Sequence, residues 1–383
     1  MSIRIQIGAN RSKMIYLDNA ATTLIKPDCV KQAVLQAMDT FGNASRGAHT
    51  PALNALRTLM EARMELASFF GLDDPMRVVF TPNVTYALNL AISGIRGHIV
   101  TSAADHNSVL RPIYRRGNFT VVPCDSKGRI SVDAIASAIQ PDTGAVVLTH
   151  ASNVTGNVLD IESIGEICAA RGIHFIVDAA QSAGLLPIDM KNISALCFTG
   201  HKSLFGPQGT GGLCLGANYM PEPLCVGGSG HNSFDPRHPQ ELPDALEAGT
   251  QNAHGIAGLL AGVRYIQSVG IESIYNKVDG LARFFAYSLA DIHGVMLYGD
   301  LEASRRTPVV SMNIEGYDCA QAASLLFEKY GIAVRAGVHC APNLHTALKL
   351  SGSVRFSFSH FNTQEETQIA VNAVRELARG HQR

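Results

Sequence analysis

Lys202 and Asp178 are the first pair of residues here that can do covalent chemistry together. Lys202 lies in Cys197-Phe198-Thr199-Gly200-His201-Lys202-Ser203-Leu204-Phe205-Gly206-Pro207, an apolar strand end followed by Thr-Gly-His-Lys and a Gly/Pro turn. Alone, such a lysine reads as a solvated loop charge. The stretch Phe175-Ile176-Val177-Asp178 changes that reading: an apolar strand delivers an acid at its C-terminal end, with Gln181 just beyond. In α/β sheets, ligands bind at those strand ends. An amine and a carboxylate converging there suit pyridoxal phosphate. The amine forms a Schiff base with the aldehyde, and the acid keeps the pyridine nitrogen protonated so that the ring can take up electrons.

A second reactive group is Cys340, in Arg335-Ala336-Gly337-Val338-His339-Cys340-Ala341-Pro342-Asn343-Leu344-His345. The segment follows a strand, is rich in small residues and is broken by Pro342, so it reads as a loop with an accessible thiol. A lone cysteine is usually inert, but Arg335 and His339 beside it favour the thiolate. The other cysteines are scattered, with no CxxC pair and no Cys/His cluster at metal spacing. They read as small core residues in a reducing compartment, and no metal site is expected. Arg355, between Val354 and Phe356, can give a carboxylate two parallel hydrogen bonds; its alternative is a surface ion pair.

The elements that must position these groups alternate. Short strands are read at Arg77–Phe80, His98–Thr101, Phe119–Pro123, Ala145–Thr149 and Phe175–Asp178, and a further strand runs through Phe198. Helices are read at Pro27–Thr40, with Val30, Ala33, Val34, Ala37 and Met38 on one face, from Thr50 to about Phe70, near Ser131–Ile139 and at Ile161–Arg171. Alternation of this kind implies a parallel sheet with right-handed crossovers. Gly209 to Leu215 would return as an antiparallel strand beside the lysine turn. Thr85 and the Val84 N–H, where a strand feeds a helix start, form an anion site suited to the cofactor phosphate. Asn153, in the turn after Thr149, is placed for the cofactor phenolic oxygen or the substrate carboxylate. Beyond Ala253 the pattern becomes α+β, with one strand read at Ile332–Arg335 and a last helix from Thr363 to Leu377.

Several of these stretches, together with Tyr16-Leu17-Asp18-Asn19-Ala20-Ala21-Thr22-Thr23 and Val354-Arg355-Phe356-Ser357, resemble the class V aminotransferase family. Within it the likeness is to group II cysteine desulfurases and selenocysteine lyases, and it covers nearly the whole chain. It implies a fold-type I α/β transferase dependent on pyridoxal phosphate. A large domain, 16–258, would hold a mostly parallel central sheet, and a small α+β C-terminal domain, 259–383, would be joined by the N-terminal arm 1–15. It further implies that His106 stacks on the pyridine ring and that Thr199 and His201 hold the phosphate. Thr250 would reach the phosphate of the neighbouring subunit in a homodimer, with Gly227-Gly228-Ser229-Gly230-His231 as an interface loop. His49 would lie near the mouth, and Arg335, Arg355 and Asn153 would meet the substrate. Cys340 would receive sulfur from L-cysteine as a persulfide, leave L-alanine, and pass the sulfur to an acceptor protein. The Ala-Pro-Asn-Leu-His tail of its loop departs from the family's pattern. Alternatives on the same scaffold are a selenocysteine lyase, another C–S lyase or an aminotransferase with Cys340 incidental. An inactive binding subunit is a different kind of alternative, and the intact Lys202 argues against it.

The bulk properties agree with an enzyme acting on a small molecule. The chain has 383 residues, 46% of them hydrophobic, 35 glycines and a formal net charge of -1. Neither nucleic acid nor a membrane surface is favoured by that charge. No apolar run reaches the length of a membrane span, and the first residues lack a signal-peptide core. A cytoplasmic enzyme is expected.

Overall fold

A computed structural model describes residues 14–44, 47–230 and 234–380. In chain order, the first part holds β1 (Ile15–Tyr16), α1 (Asp28–Thr40), α2 (Thr50–Phe70), β2 (Val78–Thr81), α3 (Val84–Ser93), β3 (His98–Ser102), α4 (Asn107–Arg116) and β4 (Phe119–Val122). Next come α5 (Val132–Ala138), β5 (Thr143–Thr149), α6 (Ile161–Ala170), β6 (His174–Asp178), β7 (Ala195–Thr199) and β8 (Gly211–Leu215). The remainder is α7 (Ala253–Val269), α8 (Ile271–Ala290), β9 (Val295–Tyr298), β10 (Val309–Ile314), α9 (Cys319–Tyr330), β11 (Ile332–Ala333), β12 (Arg335–Gly337), α10 (Pro342–Ala347), β13 (Ser353–Ser357) and α11 (Gln364–Gly380).

The large sheet has seven strands in the order β2-β8-β7-β6-β5-β3-β4. β3 to β7 pair in parallel, and only β8 runs against its neighbours β7 and β2. Every residue of β3, β7 and β8 is buried, as are the last four of β6. Such strands need cover on both faces, and two apolar clusters supply it. One face packs against α2, α6 and α7, around Leu66, Phe70, Phe175, Phe198, Leu259 and Val263. The other packs against α3 and α4, around Leu88, Ile92, Val109, Ile113 and Ile176. A side chain at Gly211 would stand 2.9 Å from Asn83 Cα, so glycine lets β8 pass close beneath the turn that opens α3.

The small domain is an antiparallel sheet, β12-β13-β10-β9, covered by α8, α9 and α11. The apolar cluster of the large sheet continues through α7 to Val278 in α8, and the second cluster takes over at Leu281; the expected boundary near residue 258 falls inside α7. A strap at residues 15–23 ties the domains together. β1 pairs with β11 and Asp18 bridges to Ser357, while the Thr23 N–H donates to the His201 carbonyl at 3.1 Å. The strap thus joins the small domain to the turn carrying Lys202. Residues 1–13 of the expected arm, and His231 of the glycine loop, lie outside the described residues.

Two local expectations are corrected, and one helix was not anticipated. The single strand read at Ile332–Arg335 breaks at Val334, because β11 pairs with β1 whereas β12 pairs with β13. Met38 faces solvent rather than the core, while Val30 and Ala37 of the same helix are buried. α4 was not legible: Pro112 lies inside it, and proline argues against a helix interior. No helix among the described residues is long and apolar enough to cross a membrane.

Candidate active site

The C-terminal ends of β2, β3, β5, β6 and β7 converge on a cavity of about 210 Å³. After β2, Asn83 Oδ1 accepts the Tyr86 N–H at 3.0 Å and caps α3. The first-turn N–H groups of Val84 and Thr85 have no acceptor within the helix, and both residues line the cavity. After β3, His106 caps α4, its Nδ1 accepting the Ser108 N–H at 3.0 Å. The neutral ring therefore carries its hydrogen on Nε2. Burial first, then the charges of Lys202, Arg335, Arg355 and Arg111, hold the His106 pKa down to about 4. Ser108 Oγ is 2.8 Å from Thr85 Oγ1, linking the two helix starts.

The turn after β5 carries Asn153. β6 delivers Asp178, whose Oδ1 accepts the Ala180 N–H at 2.9 Å. Burial pushes the Asp178 pKa up, against the opposing pull of that N–H and of Lys202. Gln181 Nε2 donates to the Ala20 carbonyl at 3.1 Å. β7 ends at Thr199, whose Oγ1 is buried with no hydrogen-bond partner. His201 Nδ1 lies 3.0 Å from Thr22 Oγ1, and burial, helped by Lys202 and Lys26, holds its pKa down to about 4. Lys202 also lines the cavity. Burial lowers its pKa to about 8 although Asp178 pulls the other way. A substantial share of its amine is therefore unprotonated near neutrality, the form that attacks a carbonyl.

The small domain supplies the opposite wall. Arg335 and Arg355 stand across from each other in the β12–β13 ladder, and both line the cavity. Like charges so placed repel. Arg355 is held by Nη2 donating to Asp18 Oδ1 at 2.9 Å and Nη1 donating to the Asn153 carbonyl at 3.1 Å. Arg355 is buried, which corrects the alternative of a surface ion pair. Two guanidinium groups on one wall make that end of the cavity suited to a carboxylate.

Cys340 does not itself line the cavity, but His339 before it does. The two form the centre of a turn closed by the Ala341 N–H donating to the Val338 carbonyl at 3.0 Å, with φ of +50° at His339 and +58° at Cys340. Left-handed backbone costs a non-glycine residue about 1–2 kcal/mol. The Asn107 N–H donates to the Cys340 carbonyl at 2.7 Å, tying the turn to the residue after His106. The thiol is exposed. Two expectations change here. Pro342 opens α10, a first-turn position that proline tolerates, so the loop ends at Ala341. His339 is neutral, since burial and the Arg355 charge hold its pKa down to about 3, so it lends no positive charge to the thiol.

Two anticipated residues lie away from the cavity. His49 is exposed and caps α2, its Nδ1 accepting the Ala52 N–H at 3.4 Å. Thr250 is exposed and lines a separate cavity of about 890 Å³ with Gly228, Ser229 and Gly230. The sequence reading missed Asp18, Ser108 and Asp105. Asp105 is buried and accepts from Thr101 Oγ1, Ser102 N and Oγ, and Thr149 N. It joins the ends of β3 and β5 beneath His106. Its place between a strand end and a histidine was the available signal.

A doubly covered, mostly parallel sheet with Lys202 and Asp178 at its strand ends defines a fold-type I transferase. The chain belongs to the aminotransferase class-V family, whose model matches residues 15–369. That family is generally dependent on pyridoxal phosphate. The chain is 34% identical to a probable cysteine desulfurase of Methanothermobacter thermautotrophicus, covering 95% of this chain and 94% of that protein. The apo structure of the cysteine desulfurase from Thermococcus onnurineus NA1 matches with a TM-score of 0.90 at 32% identity, over 96% of this chain and 95% of the other. The cysteine desulfurase CsdA of Escherichia coli, in an S-sulfonic acid form, matches with a TM-score of 0.85 at 28% identity, over 96% and 94%.

Proposed function

We propose that this protein is a pyridoxal phosphate-dependent cysteine desulfurase that converts L-cysteine to L-alanine and takes the sulfur onto Cys340. The observation that carries the reading is one cavity lined by Lys202, Asp178 and two arginines, with an exposed cysteine directly after a residue of its wall. The names of the relatives agree with it.

The residues fit the cofactor. Thr199 Oγ1 is a buried hydroxyl that lacks a partner. With Thr85, His201 and the N–H groups opening α3, it makes a donor set for a phosphate. Asp178 offers a buried carboxylate for the ring nitrogen, and His106 and Asn153 line the same space. When bound, pyridoxal phosphate supplies an aldehyde that condenses with amines and a ring that takes up the electron pair left at Cα. Lys202 would hold that aldehyde until a substrate amine takes its place, and its freed amine would be the base for the Cα proton. Asp178 would keep the ring nitrogen protonated. Gln181 braces the Asp178 turn against Ala20. Arg355, with Arg335 near, takes the α-carboxylate. The Cys340 thiolate attacks the substrate sulfur. An S–S bond forms, the Cβ–S bond breaks with its electron pair moving to carbon, and that carbon gains a proton on the way to alanine. The exposed persulfide is open to an acceptor protein. A second copy of the chain would bring its Thr250 to the phosphate of this one.

The test is mass spectrometry of the enzyme after a single turnover with cysteine. A gain of one sulfur on the Cys340 peptide, with alanine formed, is expected. Unmodified Cys340, with full activity retained in Cys340→Ala and pyruvate and free sulfide as products, would instead mean a lyase.

A further inference from the structure

The exposed thiol of Cys340 stands among charges of one sign. The Asn107 N–H donates to the Cys340 carbonyl at 2.7 Å, so α4 starts against the Cys340 turn. Arg111 and Tyr114 come four and seven residues after Asn107, on the same face of α4, and Arg115 lies at the edge of that face. Tyr114 accepts from Asn343 Nδ2 at 2.7 Å, so this face runs beside the start of α10. Arg335 lies on the other flank of the turn, at the start of β12. Arg111, Arg115 and Arg335 are exposed, and none of the three side chains has an ion pair or hydrogen bond among the described residues. No Asp or Glu occurs in 106–124 or in 329–364, although the chain holds 32 acids in 383 residues. The cations around the thiol are therefore uncompensated locally, while the whole chain is near neutral. Val338 of the turn and Tyr114 add exposed apolar surface between them. Apolar and aromatic surface inside a charged rim is how protein interfaces are built, with Tyr and Arg enriched.

We propose that this patch docks the sulfur-acceptor protein, and that the acceptor carries Asp and Glu side chains around its receiving thiol. The proposal rests on the desulfurase reading. In the transfer, the acceptor thiolate attacks the outer sulfur of Cys340–S–SH. A new S–S bond forms, and the old one breaks with its electron pair leaving on the Cys340 sulfur. The outer sulfur keeps its hydrogen, and no oxidant is consumed. Cys340 returns as a thiolate, which nearby cations stabilise. Opposite charges across an interface speed encounter and fix register. Acidic flanks hold the free acceptor thiol in its protonated, unreactive form, and the arginines offset those flanks once it docks. A nucleic acid is the poorer match for the same cations. Its binders commonly make about 6–10 phosphate contacts, and this rim offers fewer cations.

The experiment loads wild-type holoenzyme with cysteine, removes the excess, and times sulfur transfer from the Cys340 persulfide to synthetic peptides. Each peptide has a single cysteine flanked by aspartates, by serines or by lysines. Rates are divided by those of the same peptides with dithiodipyridine, a neutral disulfide, which removes differences in thiol reactivity. The aspartate peptide should lead the serine peptide about tenfold at low salt, and the lysine peptide should trail. That lead should vanish near about 1 M salt, where the screening length falls to about 3 Å. In the double variant Arg111→Gln, Arg115→Gln it should fall below about threefold; exposed substitutions of this kind rarely disturb folding. A second measurement needs no persulfide. Alkylation of Cys340 by anionic iodoacetate and neutral iodoacetamide, read by peptide mapping and normalised to mercaptoethanol, should favour iodoacetate, and less so in the double variant. The exposed Cys29 and Cys225 are the controls and should show no such change. No lead for the aspartate peptide, or a lead that the double variant keeps, would overturn the proposal. An oligouridylate that shields Cys340 from iodoacetamide better than the aspartate peptide at equal charge would overturn it in favour of RNA. If cysteine leaves no sulfur on Cys340, the desulfurase reading fails and takes the proposal with it. A persulfide that forms but passes its sulfur without charge preference removes only the docking face.

Discussion

The reactivity of Lys202 should be visible in the apoenzyme as a pH profile. Burial lowers its pKa from 10.5 to about 8, with Asp178 opposing the shift and Arg355 and Arg335 adding to it. At pH 7 that leaves about one amine in ten unprotonated, roughly 300-fold more than an unperturbed lysine, at about 1.4 kcal/mol per unit. Capture of added pyridoxal phosphate should therefore accelerate about tenfold per pH unit up to about pH 8 and level off above it. Asp178→Asn removes the charge that raises the Lys202 pKa, so the midpoint should move lower. The linked stability has a definite sign. Between pH 8 and 10.5 the unfolded chain binds the lysine proton and the folded chain does not. Apoenzyme stability should therefore rise through that window, by up to about 3 kcal/mol from this group. Rapid mixing across pH 6 to 10, followed by borohydride trapping and peptide mapping, measures both rate and site. Lys26 is the internal control. Its pKa is also lowered to about 8 by burial, but its Nζ is 2.7 Å from the His201 carbonyl and it does not line the cavity. A capture rate still climbing tenfold per unit at pH 10, or a label on Lys26, would refute the reasoning.

Asp178→Asn should retain the cofactor yet slow Cα deprotonation by orders of magnitude; near-normal loss of label from α-deuterated cysteine would contradict the role given to the acid. Arg63 and Glu247 form a buried bidentate pair at 2.8 and 2.6 Å, and the Phe80 N–H donates to Glu247 at 2.6 Å. Arg63→Ala should cost about 3–5 kcal/mol in urea unfolding of the apoenzyme, because a buried carboxylate is left alone; a loss below about 1 kcal/mol would show that water replaces the partner. Thr250→Ala and Lys202→Ala protomers, each impaired, should regain activity when refolded together, since one of the two sites then has both residues intact. No recovery, or an active monomer in light scattering, would rule out sharing of Thr250 between subunits.

Sequence pattern by itself determined the large domain and the side of the cavity it supplies. Asp178, Thr199 and Lys202 are positioned by their own strands and the turns that follow, and parallel strands all end on one side of a sheet. Local spacing is therefore enough to bring them together. The small-domain wall was legible only as residue types. Arg335 and Arg355 become neighbours through the β12–β13 ladder, and Asp18 reaches Arg355 only because the strap from residue 15 crosses to Ser357. Such pairings carry no short-range signal, and the break at Val334 follows from them. The charge state of a side chain was likewise decided by the tertiary structure. His339 reads in sequence as a cation beside Cys340, but in the fold it is buried, faces the charge of Arg355 and stays neutral. His49 reads as a residue at the mouth and is a helix cap. The sequence could name which residues have the chemistry. Burial and cross-strand contact set their protonation and reach, because both depend on residues far apart along the chain.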